Sequence, residues 1–330
     1  MKNLPHFLNS KISLIDIGAV GNPPAHWLPL KDYTDLVGFE PNEKSCNILN
    51  SQISGYASST FFPYAIGQFN EECTFKITEH HECCSLLEPN MEWLDRFEYS
   101  SSFIENYRVP VRTNTLDEIS ELKNIKPDAV KIDAQGFELQ ILKGATKVLD
   151  NIFLLEIETG LHKNYINETT FDEICPFLKQ RGFMCMELLQ QPPQLRKNLA
   201  SSWANSKGQA MACESIWMKD LFHWDKSEID KGRLKKFLLL CWLFNYSDYA
   251  LEILAIDRFA SLFNDNELNI LSLEKNWAKP SSPSEKPNCI SKFAGILTHL
   301  LPTPKRRNLF HHFEKIADDP NFFKNLLRIN

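Results

Sequence analysis

KIDAQGFELQILKGA, Lys131 to Ala145, is the stretch whose reading decides the fold. Its first residues close an apolar run, DAVKID (Asp128 to Asp133), and the rest opens FELQILKGATKVL (Phe137 to Leu149), with apolar residues at helical spacing. A strand therefore runs into an acid, Asp133. Gly136, a second acid, Glu138, and a helix follow at once. In an open α/β sheet, ligands bind outside the carboxyl ends of the strands, so an acid there says more than an acid elsewhere. Gly136 suits a positive-φ turn between strand and helix. Glu138 suits a first-turn acid facing the helix dipole, and Lys131 suits a partner for a neighbouring acid.

Outward from this stretch, strand and helix signals alternate from Ile12 to about Lys219. ISLIDIG (Ile12 to Gly18) and LVGFEP (Leu36 to Pro41) are buried-strand runs, and NEKSCNILNSQ (Asn42 to Gln52) is a short helix that Asn42 can cap. STFFPYAIG (Ser59 to Gly67) and CTFKITEH (Cys73 to His80) are strands joined by a turn. A polar, irregular stretch, His81 to Asn106, leads to the strand VPVRT (Val109 to Thr113) and to TLDEISEL, where Thr115 and Glu118 have capping-box spacing. Later come the strand NIFLLEIET (Asn151 to Thr159) and the helix FDEICPFLKQRG (Phe171 to Gly182), whose Pro176 is a candidate kink. FMCMELL (Phe183 to Leu189) and AMACESIWMK (Ala210 to Lys219) are two strands separated by a polar loop, Gln190 to Gln209. Alternation of this kind implies a parallel sheet with helices on both faces. The last two strands lack a crossover helix and fit an antiparallel hairpin at one edge.

After Asp220 the character changes. Leu234 to Phe263 is helical in pattern, KPSSPSEKP (Lys279 to Pro287) is a Pro/Ser-rich linker, and Leu309 to Ala317 and Asn321 to Ile329 are helical again. The expected organisation is a sheet domain over 1–220 and a helical extension over 221–330. Trp242, Phe244, Tyr246 and Tyr249 lie in a helical pattern, where aromatic residues are usually core.

Composition excludes several classes. Hydrophobic residues make up 43% of the 330 and charged residues 24%, the proportions of a globular protein with a sizeable core. A formal net charge of -6 argues against a nonspecific nucleic-acid binder, which wants a basic face. The longest apolar run, Phe237 to Phe244, is far short of the ~20 residues of a membrane span. No secretory signal is legible at the N-terminus, and the nine cysteines are scattered, so reduced thiols in a cytoplasmic setting are expected.

The residues with chemistry gather at strand ends. IDIGAVGN carries Asp16, Gly18 and Gly21, and glycines there let a ligand approach the backbone. The three spaced glycines of a dinucleotide fingerprint are absent, which argues against an NAD-type enzyme. Glu40 ends the second strand, where a carboxylate accepts hydrogen bonds from a ribose diol; the bland alternative is an acid at the next helix N-terminus. No phosphate-gripping lysine follows the glycines, so adenosine without phosphates fits best. EHHECCS (Glu79 to Ser85) offers His and Cys, but adjacent His80–His81 and Cys83–Cys84 point apart on an extended chain, so no metal site is expected.

In this order the pieces LIDIGA, GFEPN, YAIG, SLL, TLDEI, KIDAQGFELQILKGA and LLEIE resemble the FkbM family of S-adenosylmethionine-dependent methyltransferases, over roughly Ile12 to Leu189. The resemblance implies the class I methyltransferase fold: a Rossmann-like seven-stranded sheet with its last strand antiparallel. It implies S-adenosyl-L-methionine as cofactor and methyl transfer to a hydroxyl, often on a sugar or glycosylated product. By position, Asp16, Gly18, Ala19 and Gly21 would line the methionine part. Glu40, with Pro41, would hold the ribose, Ala65 and Ile66 the adenine side, and Asp133 would lie nearest the methyl group. Asp133 is the first candidate for base or acceptor anchor, followed by Glu138, Glu156 and His162. The loop before SLL would border the acceptor pocket. One departure stands out: family members read GANxG after the first strand, whereas here Val20 replaces the Asn and Gly21 comes one place early. A non-catalytic binding protein that keeps the fold is the alternative this altered turn motivates.

Overall fold

The protein is described by a computed structural model covering residues 8, 10–53, 55–123, 125–197, 206–224, 229–264 and 267. Among them are ten strands: β1 (Ile12–Ile17), β2 (Thr34–Phe39), β3 (Ser58–Phe62), β4 (Ala65–Ile66), β5 (Glu72–Thr78), β6 (Glu105–Asn114), β7 (Ala129–Ile132), β8 (Leu154–Gly160), β9 (Phe183–Gln190) and β10 (Ala212–Lys219). The helices are α1 (Glu43–Gln52), α2 (Met91–Leu94), α3 (Glu138–Lys143), α4 (Thr146–Asn151), α5 (Phe171–Gln180), α6 (Lys231–Leu243), α7 (Ser247–Ala255) and α8 (Asp257–Ala260).

Seven strands form one sheet in the order β3-β2-β1-β7-β8-β10-β9. Its first five members run parallel, and β10 is antiparallel to both of its neighbours. This is the Rossmann-like sheet of class I methyltransferases. β1 is buried at all six positions, as a strand covered on both faces should be. One face packs Ile15, Val130 and Leu155 against α3, α4 and α5. The other packs Ile12, Leu14 and Leu154 against Trp27 and the α6 residues Leu234, Phe237, Leu238 and Cys241. The helices that follow residue 220 thus share the sheet's own core. Lys236 Nζ reaches Asp128 Oδ2 at 2.8 Å, and the same oxygen accepts the Ser13 N–H at 2.8 Å. Trp242 and Tyr249 are buried, and Phe244 and Tyr246 pack partly buried against the same cluster. The expected linker at Lys279 to Pro287 and the two helices beyond it lie outside the described residues.

Several elements differ from expectation, each for a local reason. The strand expected over Ser59 to Gly67 is two, β3 in the large sheet and β4 beside β6, with Pro63 between them; proline has no N–H to continue a ladder. β4, β6 and β5 form a separate three-stranded sheet, and the strand around VPVRT is longer than its apolar core suggested. The helix expected over Phe137 to Leu149 breaks into α3 and α4 at Gly144, where a Cβ would stand 2.0 Å from the Gly67 carbonyl oxygen. The restart is capped from outside: the Asp117 carboxylate accepts from Thr146 Oγ1 and from the Lys147 and Val148 N–H groups at 2.9–3.0 Å. TLDEI therefore serves α4. The capping box expected at Thr115 does not form, and Leu116–Glu118 is a single 3-10 turn. Asn42 caps α1 as expected, accepting from the Lys44 and Ser45 N–H groups.

Candidate active site

β1, β2 and β7 end in step, Ile17 lying level with Phe39 on one side and Ile132 on the other. Backbone bonds carry the alignment one residue further. The Gly18 and Ala19 N–H groups donate to Phe39 O at 3.0 and 3.2 Å, the Glu40 N–H to Phe62 O at 3.1 Å, and the Asp133 N–H to Ile17 O at 3.0 Å. Gly18 has φ +77°, and a Cβ there would lie 1.8 Å from Asp133 O. Only glycine allows that approach. Asp16, Glu40 and Asp133 consequently share one rim.

They border a cavity of about 590 Å³, a size ordinary for a small-molecule site, ~300–1,000 Å³. Of the residues expected in the site, Asp16, Gly18, Glu40, Pro41, Ala65, Ile66, Asp133 and Glu156 line it. Three do not reach it. Ala19 is buried in the core beneath the sheet. Gly21 sits on an exposed turn at φ +75°, with nothing near its missing Cβ. His162 turns aside: its Nε2 lies 2.8 Å from the Gln209 amide and its ring packs against Trp93. The loop before SLL does border the cavity, through His81, Glu82, Cys83 and Cys84. The SLL serine, Ser85, donates to Gln135 O at 2.7 Å, tying that loop to the turn after β7.

The cavity floor carries a row of charges set by strand register. Asp16 on β1 lies level with Lys131 on β7, and Lys131 with Glu156 on β8. Lys131 Nζ is 3.5 Å from Asp16 Oδ1 and 3.9 Å from Asp133 Oδ2. Burial works against the lysine's charge, yet the carboxylates of Asp16, Asp133, Glu156 and Glu158 together raise its pKa. Burial also raises Asp16, against the pull of Lys131. Glu156 Oε2 accepts from Trp27 Nε1 at 3.0 Å and lies 3.1 Å from His26 Nε2. Burial alone would push Glu156 up, but hydrogen bonds from His26, Glu214 and Trp27 hold it down to about 2. So firmly held a carboxylate is a weak base. Glu40 is raised to about 7 by burial, although the Asn42 N–H, 2.8 Å from its Oε1, works the other way.

Asp133 is less enclosed, with 29% of its side chain exposed. Gln135 orients it, donating from Nε2 to Asp133 Oδ1 at 2.8 Å, while Gln135 Oε1 lies 3.1 Å from the Tyr165 hydroxyl. Gln135 has φ +51° and Gly136 φ +95°, so this turn is held in a conformation that L residues seldom adopt. Glu138 holds it there. Its Oε1 accepts the Ala134 and Gly136 N–H groups at 3.1 and 3.0 Å, beneath a fully buried side chain. Glu138→Ala leaves both donors without that acceptor, and urea unfolding is expected to show a loss of about 2–3 kcal/mol. A loss below about 0.5 kcal/mol, the size of an ordinary surface change, would mean the turn does not depend on it.

Reasoning from sequence missed Gln135, Glu214, His26 and Trp27. The signal for Glu158 was present, an acid two residues from Glu156 on an apolar strand. None exists for Trp27, whose partner stands 129 positions away.

The family model for the Methyltransferase FkbM domain matches residues 20–185, just over half of the chain. Among solved structures, an FkbM methyltransferase from Methylobacillus flagellatus KT is 12% identical, with 62% of this chain and 43% of that chain covered and a TM-score of 0.35. Less than half of that relative's length is thus spanned. Magnesium protoporphyrin IX methyltransferase (ChlM) from Synechocystis PCC 6803, solved with bound S-adenosylmethionine, is 10% identical, with 64% and 71% covered and a TM-score of 0.33. No curated protein matches.

Proposed function

This chain belongs to the FkbM family of S-adenosylmethionine-dependent methyltransferases, and from that premise we propose that it methylates a hydroxyl of a sugar in a glycan or glycoconjugate. The observation that carries the reading is the convergence of Asp16, Glu40 and Asp133 on one cavity. The residues fit the cofactor. Gly18 lets the end of β1 pack against the Asp133 carbonyl, so that Asp16 and Asp133 reach the same cavity, with Lys131 facing both carboxylates. Glu40 is the acceptor for a ribose diol, Pro41 lies beside it, and Ala65 and Ile66 supply an apolar wall for adenine. When bound, the cofactor supplies a methyl group on a sulfonium centre.

The protein's own part is alignment and proton removal. Asp133, oriented by Gln135, accepts the proton of the attacking hydroxyl. Tyr99, Asn164, Gln191 and Gln194 border the remainder of the cavity. Neutral amides and aromatic rings of this kind suit sugar hydroxyls better than phosphates. The net charge of -6 and this acidic cavity favour a glycan over a nucleic acid. Among the described residues no helix is long and apolar enough to cross a membrane, and we place the reaction in the cytoplasm. Residues 1–220 carry the catalytic machinery in this reading, and the described helices after residue 220 support its sheet.

Calorimetry tests the cofactor half: S-adenosylmethionine and S-adenosylhomocysteine are expected to bind and NAD is not. Glu40→Gln should weaken binding about tenfold, the size of lost hydrogen bonds to a charged acceptor. Because burial lifts Glu40 to about 7, affinity for the cofactor should fall as pH drops below that value. The folding effect has the opposite sign: with its folded pKa above 4.5, this group favours the fold at low pH and loses that contribution as pH rises through about 7. An unchanged affinity in Glu40→Gln would remove the ribose assignment. Transfer of labelled methyl to a cell glycan fraction tests the acceptor, and label found only outside sugars would overturn it.

A further inference from the structure

Asp133 is held by a chain of hydrogen bonds that continues past Gln135 to a buried phenol. The Tyr165 hydroxyl lies 2.9 Å from the Cys83 carbonyl oxygen and 3.1 Å from Gln135 Oε1. Both neighbours are acceptors, and the one hydroxyl proton is shared between them. At the other end of the amide stand carboxyl groups: Gln135 Nε2 donates to Asp133 Oδ1 at 2.8 Å, and the same side chain bonds Glu158. A carboxamide has nearly the same shape either way round, so its neighbours decide which end is oxygen. Here a hydroxyl on one side and carboxyl groups on the other decide it. Turned over, Gln135 would set its oxygen against Asp133.

The phenol is built not to move. Tyr165 is 2% exposed, and its ring meets that of Phe103 edge-on with centroids 5.6 Å apart. Its backbone forms an antiparallel bridge with Pro89, flanked by bonds from the Asn90 N–H to Asn164 O and from the Ile166 N–H to Glu88 O, both 2.8 Å. The Tyr165 N–H donates to Glu168 Oε2 at 2.9 Å. A tyrosine needed only to brace the loop before SLL would find its partner in Cys83 O, and Ser85 already ties that loop to Gln135 O. The contact with the Gln135 side chain is separate from both. Gln135 sits at φ +51°, a conformation that persists only where its surroundings hold it.

We propose that Tyr165 is a positioning residue for methyl transfer: its hydroxyl selects the orientation of the Gln135 amide and so keeps the Asp133 carboxylate aimed at the acceptor hydroxyl. This rests on the reading of Asp133 as proton acceptor. Tyr165 exchanges no proton with the acceptor and acts through Gln135. A misplacement of ~1 Å costs up to about 10²-fold in rate, so small errors of aim matter.

The test is Tyr165→Phe in the full chain, which removes the hydroxyl and keeps the ring. With labelled S-adenosylmethionine and a cell glycan fraction, transfer at saturating cofactor is expected to fall about 10–10²-fold. KM for S-adenosylmethionine and calorimetric affinity for S-adenosylhomocysteine should stay unchanged. Gln135→Met should lose as much transfer, and the double variant no more than either, because the two side chains act on one path. A tyrosine of purely structural importance would give additive losses. Without any acceptor, the Gln135 side-chain N–H signals, assigned by their absence in Gln135→Met, should exchange with solvent about tenfold faster in Tyr165→Phe, as for one lost hydrogen bond. Unchanged amide exchange, additive losses or full transfer in Tyr165→Phe would each overturn the proposal. Circular dichroism checks folding; if Tyr165→Phe does not fold, full transfer by Gln135→Met overturns it instead. Asp133→Asn keeps the two readings apart. Full transfer there ends the proton-transfer reading, whereas its loss there beside full transfer in Tyr165→Phe ends this proposal alone. If the protein itself transfers nothing to the glycan fraction, the acceptor reading falls and amide exchange decides the part played by Tyr165.

Discussion

Asp133→Asn is expected to keep affinity for S-adenosylmethionine nearly unchanged while lowering methyl transfer about 10²–10⁴-fold, the usual worth of a positioned general base. Asparagine preserves the shape and can still accept from Gln135 Nε2, now 2.8 Å from Asp133 Oδ1. It cannot take a proton. The backbone of residue 133 also stays in place, because its N–H bonds to Ile17 O irrespective of the side chain. Single-turnover transfer from labelled cofactor, set beside calorimetric affinity, separates the two effects. Full transfer in the variant would remove Asp133 from proton transfer and leave it only as an anchor. Among the earlier candidates, Glu156 could not inherit the role while Trp27 and His26 hold it near pKa 2, and His162 stands outside the cavity.

Gly18→Ala is expected to cost the fold about 4 kcal/mol, combining a strained positive φ with overpacking. The added Cβ would meet the Asp133 carbonyl oxygen at 1.8 Å, and this oxygen belongs to backbone that cannot rotate away. β1 and β7 would have to separate where both present their acids. Cofactor binding should therefore disappear together with the stability. Gly21→Ala is the control. Gly21 also has positive φ but meets nothing within 4 Å, so only the conformational cost applies, about 1 kcal/mol. Equal losses in the two variants by urea unfolding would show that crowding between the strands is not what requires Gly18.

Much of this arrangement was legible in the sequence because it is local. A strand ending in an acid, a glycine and then a helix is written within fifteen consecutive residues, and an acid at a strand end recurs at Asp16, with Gly18 after it, and at Glu40. Position at a strand end follows from the chain itself. What stayed hidden depends on contacts between distant segments. The break between α3 and α4 falls at Gly144, where the Gly67 carbonyl leaves no room for a side chain, and Asp117 caps the restart from another element. Periodicity alone reads that stretch as one helix. His162 follows β8 closely in sequence, yet its ring is drawn aside by Gln209 and Trp93. The pairing of Glu158 with Glu214 needed the register of an antiparallel ladder whose connecting loop carries no signal. The face of the sheet under α6 is a similar case: the helical pattern was plain, but its burial partner was not.

Trp27 has a consequence of its own. Its indole is fully buried and donates to a carboxylate in the ligand cavity, while its edge meets Phe244 at the end of α6 with ring centroids 5.4 Å apart. The excited-state dipole of an indole responds to nearby charge. This ring is therefore a native optical gauge of the binding chamber, readable without any attached dye as the difference in emission between the protein and Trp27→Phe, which retains the other six tryptophans.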